Sequence, residues 1–306
     1  MYNTINTIII FSDVYERIAI LSAHITFYHL IISVRGRVMP HITQIAALEL
    51  QSGNCFNQYT IPKLPITSAA QEVTGIVINP SGLMTVKGQP VLGKTIQSAT
   101  SEFLEWLSKY SNVVLVAHNG RKFDFPVFIS CLKNIGLENE FMDGVIGLID
   151  SIPVFKKAFP NQECYKQEYL EKSVLKSSYL AHDALEDVRS LGRLVKHTGF
   201  SHKEIIQHSY PPLAVHNSLL FSESKARNID SLHPLISSGV LKRPTAENIA
   251  GSGLNMNDLR KIYSRSGEDG LRDTFVANNS EGLPRVTNAK RTLDDVLPKL
   301  VEYLSK

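Results

Sequence analysis

Three side chains in this sequence are of types and in positions that could carry chemistry: Asp124, His182 and Asp187. Asp124 lies in the stretch Val113 to Phe128, VVLVAHNGRKFDFPVF. Val113-Val114-Leu115-Val116 has the pattern of a short buried strand. Ala117-His118-Asn119-Gly120 breaks the run as a turn. The apolar spacing of Phe128, Cys131, Leu132 and Ile135 predicts a helix that continues past Pro126 near its first turn. One carboxylate is thus held at a strand-to-helix junction between Phe123 and Phe125, on a rigid base suited to metal binding. A helix N-terminal cap is the plain structural alternative for Asp124.

The second stretch is Tyr179 to Val195, YLAHDALEDVRSLGRLV. Ala184, Val188, Leu191, Leu194 and Val195 form an apolar helical stripe. Asp183 and Asp187 are four residues apart and share one face of that helix. His182 stands just before or at its start, so His182 and Asp187 can reach one point if His182 sits on the entering loop. A solvated acidic first turn that favours the helix dipole accounts for Asp183 and Glu186. It accounts poorly for a histidine before the same turn.

The surrounding elements must position these groups. Ile42 to Leu50 alternates imperfectly, as in a largely buried strand. Gly53-Asn54 reads as a hairpin turn, and Cys55 to Ile61 as the paired strand. Pro62 to Pro90 reads mostly as loop. Ser98 to Tyr110 has helical spacing, and Val145 to Ile149 forms a strand ending in Asp150-Ser151, where Asp150 is structural. Short helices follow over Pro153–Ala158 and Glu168–Leu175. Antiparallel hairpins followed by alternating strands and helices predict an α/β class, with a mixed sheet flanked by helices. Residues 198–212 read as a linker and 213–306 as a small helical region, in which Leu232, Leu235, Ile236 and Val240 fit one helix. Met256–Ser264 and Leu293–Leu304 read as further helices, the last kinked or split by Pro298. Lys242, Arg243, Arg260, Lys261 and Arg265 could touch a phosphate backbone, although an ordinary solvated face is the commoner explanation.

The 43% hydrophobic and 20% charged content are those of a soluble globular chain. A net charge of +3 permits a polyanionic partner without announcing one. Three widely spaced cysteines argue against a disulfide framework or a zinc site and fit a reducing compartment. Ile18 to Val34 contains no Asp, Glu, Lys or Arg, but its 17 residues include His24 and His29. A buried or poorly ordered segment is the expectation there, not a membrane span.

HNGRKFDFP and HDALED together resemble the second and third motifs of the DEDDh 3′→5′ exonucleases. His41 to Glu49, HITQIAALE, looks like that family's second strand, and Ala69 to Ile76 like its following turn. The resemblance covers roughly residues 40 to 197. The stretch GSGLNMNDLRKIYSRSGEDGL resembles the C-terminal part of the exonuclease-like exon of promyelocytic leukaemia protein relatives. The family resemblance implies a ribonuclease H-like fold and two magnesium or manganese ions about 4 Å apart. Carried over residue by residue, Asp124 and Asp187 are metal ligands and His182 is the general base. Asn119 and Phe123 are substrate-binding positions. The implied partners are DNA or RNA 3′ ends, the implied products nucleoside 5′-monophosphates. Homodimerisation and an intracellular setting, nuclear or cytoplasmic, are implied with them.

The family's first motif, Asp-x-Glu on the first strand, is missing, and residues 1–39 are a divergent N-terminal segment. Asp13 and Glu16 are the acidic residues before Glu49 that could substitute. Their i, i+3 spacing puts them on opposite faces of a strand. The expected activity of the chain as written is weak or absent. The alternative is a catalytically inactive nucleic-acid- or protein-binding module on the same fold. The expected domains are 1–39, an exonuclease domain at 40–197, the linker and the helical region.

Overall fold

A computed structural model describes residues 23–32, 41–179, 181–279 and 282–306. Asp13 and Glu16, the candidate substitutes, lie outside the described residues. Strand β1 (His24–Ile32) is followed by β2 (Ile42–Glu49), β3 (Cys55–Thr60) and helix α1 (Ser68–Thr74). Next come β4 (Ile76–Ile78), β5 (Met84–Val86), β6 (Gln89–Pro90), β7 (Gly93–Lys94) and α2 (Ile96–Leu107). The chain continues through β8 (Val113–Ala117), α3 (Asp124–Ile135), α4 (Glu138–Gly144), β9 (Val145–Asp150) and α5 (Ser151–Ala158). Helices α6 (Gln167–Val174), α7 (Ala184–His197) and α8 (His202–Ile206) complete this part.

The main sheet has the order β7-β3-β2-β1-β8-β9. β1, β2 and β3 pair antiparallel, whereas β8 joins β1 and β9 joins β8 in parallel. The alternation of β1 explains its central place. Ile25, Phe27 and Ile31 enter the core that holds Val188, Leu191, Leu194 and Val195 of α7. On the opposite face Tyr28 stacks on Phe103 of α2 and meets Phe128 of α3. Gly192 lets α7 lie close to the sheet: a Cβ there would stand 3.2 Å from Phe27 and Leu48 side-chain atoms.

Several expectations change. The uncharged stretch around His24–Ile32 is a central strand, paired with β2 over Thr26–Ile32 and with β8 over His24–Phe27, inside the segment expected to be divergent. The expected loop at 62–90 contains α1 and a small sheet of order β4-β5-β6. These pieces are too short to show a periodicity. Local chemistry fixes α1 instead, with the Thr67 side chain accepting from the Ala70 N–H and Gly75 closing the helix at φ 71°. The expected linker holds α8, whose start is a capping box of Ser201 and Glu204.

The chain divides into two compact units, residues 1–216 and 217–306. The second is helical, with most of α9 (Pro212–Asn228), then α10 (His233–Ser237), α11 (Arg243–Gly251), α12 (Met256–Val276) and α13 (Lys290–Leu304). Its core includes Leu232, Leu235, Ile249, Leu259, Leu271, Leu297 and Leu300. The single helix expected over 232–240 is instead a 3₁₀ turn at Ile229–Leu232 followed by α10, which Pro234 starts. Pro298 does not split α13. The ring costs one backbone hydrogen bond, while Leu293, Val296, Leu297 and Leu300 are all buried along the same helix. Among the described residues no helix is long and apolar enough to cross a membrane.

Phe128 joins Tyr28, Phe103 and Phe141 in one aromatic cluster at about 1% exposure. Phe128→Ala is expected to lower unfolding free energy by about 3–5 kcal/mol, measured by urea denaturation, with an unchanged m-value.

Candidate functional site

Three elements bring the site together. Asp124 is the first residue of α3, directly behind the turn that ends β8. Its Oδ1 accepts the Leu30 backbone N–H at 3.0 Å, which ties the helix start to β1. Asp187 lies in the first turn of α7. That turn is anchored by Asp183, which caps the Leu185 and Glu186 N–H groups. Buried Gln44 of β2 adds its Oε1 as acceptor for the Ala184 N–H at 3.1 Å. Asp183 and Asp187 therefore have separate tasks: the first caps, the second points inward.

Between the two carboxylates stands His29 of β1. Its Nδ1 is 3.1 Å from Asp124 Oδ1 and its Nε2 is 3.4 Å from Asp187 Oδ2. Burial works against the imidazolium, but the charge and hydrogen bond of Asp124, with the charge of Asp187, overcome it and push the pKa up to about 9. Both ring nitrogens then donate, one to each carboxylate. Asp187 Oδ1 also accepts the Tyr179 hydroxyl at 2.9 Å. Burial still holds the Asp187 carboxyl above its ordinary pKa, against the pull of His29 and Tyr179.

The other expected site residues line the same cleft but do not meet the carboxylates. His182 has φ 68°, and its Nε2 lies 3.6 Å from Glu168 Oε1 with both side chains about half exposed. Asn119 turns the chain after β8 in the left-handed region, φ 57°. Phe123 precedes α3 and is 38% exposed. One lobe of the cleft, about 740 Å³, is lined by His29, Asn119, Lys156, Lys166, His182 and Asp187, among others. A second lobe of about 500 Å³ shares His29 and His182 and is lined by Leu30, Ile31, Ala70, Val73 and Phe123. Asp150 caps α5 through the Ile152 N–H, the structural role expected of it. His118 packs against the same helix start, its Nδ1 2.8 Å from Ser151 Oγ.

This donor set does not fit a pair of divalent cations. Hard cations need several anionic oxygens, and the group that faces Asp124 and Asp187 is itself a cation. Among the described residues no cluster of three or more His, Cys, Asp or Glu is arranged to hold a metal ion. Asp124 Oδ2 is buried without a hydrogen-bond partner among those residues, whereas Oδ1 meets His29 and the Leu30 N–H. His29 and Tyr179 were missed as site residues. The available signal was a histidine in a strand otherwise free of charge.

Comparison with known proteins bears on the functional expectation. A family model for the PML C-terminal domain matches residues 228–306. Human protein PML is 24% identical over 202 residues, which is 64% of this chain and 21% of that relative. Mouse protein PML is 24% identical over 210 residues, 69% of this chain and 23% of the relative. The chain thus spans a little over a fifth of the curated relatives it matches. The similarity found is to PML and not to an exonuclease family, which overturns the assignment to the DEDDh exonucleases. With it fall the expected enzyme class, the hydrolytic 3′→5′ activity and the nuclease description.

The raised pKa of His29 has a consequence for stability. A group with a folded pKa of about 9 against 6.5 unfolded stabilises the protein fully below pH 6.5. That contribution, on the order of 3 kcal/mol, is lost as the pH rises through 9. Urea unfolding at pH 6 and pH 9.5 is expected to show the loss, and His29→Gln to remove most of the difference. Equal pH dependence in the two proteins would contradict the imidazolium.

Proposed function

We propose that the first unit is a ribonuclease H-like fold that works as a non-catalytic module binding single-stranded nucleic acid. The observation that carries the non-catalytic reading is His29 between Asp124 and Asp187, an internal cation facing the two carboxylates. The fold assignment is supported by the antiparallel β1–β2–β3 meander extended in parallel by β8 and β9, with α7 on one face and α2 and α3 on the other.

The ligand class is supported by the two lobes of the cleft. Lys156 and Lys166 line the polar lobe beside Asn119 and Gln167 and supply donors for phosphate oxygens. Lys156 also lies 5.7 Å over the Tyr165 ring, which holds its stem in place. The second lobe offers Phe123, Ala70 and Val73 as an apolar surface for a base. His182 and Asn119 both hold positive φ beside this cleft, a strained conformation that the surrounding structure must stabilise.

The test is fluorescence anisotropy of a labelled single-stranded oligonucleotide with the full chain in EDTA. Binding is expected without divalent cations, and the oligonucleotide is expected to remain intact. Phe123→Ala, or Lys156→Ala with Lys166→Ala, is expected to weaken binding about tenfold. Absence of binding, or binding that requires magnesium, would reject this reading and favour a protein ligand in the first case.

A further inference from the structure

Charge is unevenly distributed over the second unit. Glu247 of α11 pairs with Arg243, at 3.0 Å, and with Lys225 of α9, at 3.8 Å. Lys242 adjoins Arg243, and Asp295 of α13 pairs with Lys299. The Asp295 carboxyl is held below its ordinary pKa by the Lys299 hydrogen bond and charge, with Lys242 and Arg291 adding to it. Glu247 joins Lys225 and Arg243 directly, and the charges of Lys242 and Arg291 both act on Asp295, which groups five cations of three elements in one region. Lys242, Arg243, Arg291 and Lys299 are exposed and Lys225 is partly so.

That surface has five cations and two carboxylates. The remaining charged residues of 217–306 are eight cations and nine carboxylates. The excess positive charge is therefore concentrated, whereas an ordinary solvated face mixes both signs evenly. On α13, Arg291, Asp295 and Lys299 follow at i, i+4 and i+8, opposite the buried stripe of Leu293, Leu297 and Leu300. Arg291 and Lys299 are consequently about 12 Å apart along a rigid helix. Cations spread over that length suit a repeating polyanion better than one phosphate group.

We propose that this face binds the phosphate backbone of duplex nucleic acid without reading its sequence. It is a separate site from the cleft of the first unit and does not depend on that reading. Contacts limited to phosphates predict a strong salt dependence and little discrimination between sequences.

The experiment measures binding of two unrelated 20-base-pair duplexes to the full chain between 50 and 200 mM salt. Both are expected to bind equally, with affinity falling steeply with salt. Lys242→Glu with Arg291→Glu is expected to weaken binding at least tenfold and to flatten the salt slope by about two. Lys242→Gln with Arg291→Gln, which removes charge without reversing it, is expected to give an intermediate loss. Arg260→Glu with Arg265→Glu, outside the set, is expected to change affinity by less than threefold. Phe123→Ala should leave duplex binding unchanged, which separates this site from the cleft. Unchanged duplex affinity in the Lys242/Arg291 variants would overturn the proposal. So would equal or tighter binding of polyglutamate, which would assign the face to an acidic protein.

Discussion

The first unit depends on a buried charge balance. Asp124 is about 1% exposed and Asp187 only 8%, and two such carboxylates cannot remain ionised side by side without a counter-charge. His29 supplies it from the central strand. His29 is paired with Ala46 of β2, so the imidazole is placed by a strand and not by a loop. The same strand receives α3 through the Leu30 N–H bond to Asp124, and α7 through packing on Phe27. Sheet, helix starts and cleft floor therefore share one fixed point.

This arrangement changes what the cleft can do. A pair of carboxylates open to solvent attracts hard cations, whereas a pair bridged by an imidazolium is already neutralised in part. Replacing an internal ion group by a metal would require the histidine to leave its place between two buried acceptors. His182, the expected base, is turned toward Glu168 at the rim. Lys156 and Lys166 line one lobe of the cleft, and Phe123 and Val73 the other.

Motif resemblance misled because of what the motifs encode. HNGRKFDFP and HDALED describe how a carboxylate enters the first turn of a helix. Asp124 and Asp187 do lie in the first turns of α3 and α7, and His29 stands between them. Whether converging carboxylates hold metal is decided by the third partner, and that partner comes from β1, about 95 residues before Asp124. The similarity to PML, which includes the C-terminal domain match over 228–306, carries no statement about this cleft.

The sequence by itself determined the α/β class, the β2–β3 hairpin, strand β8, the helices carrying Asp124 and Asp187, and the helical character of the last third. Each is encoded locally, by periodicity, turn residues or caps. Only the tertiary structure decided the rest. A run without charged side chains became the central strand because it could be buried on both faces. His29 became a site residue because strand register puts it on the α7 face, beside two carboxylates remote in sequence. The basic surface of the second unit likewise draws its charges from α9, α11 and α13, which are apart in sequence. Local patterns fix local conformation, but electrostatic function depends on which charges are neighbours in space, and that is set by packing.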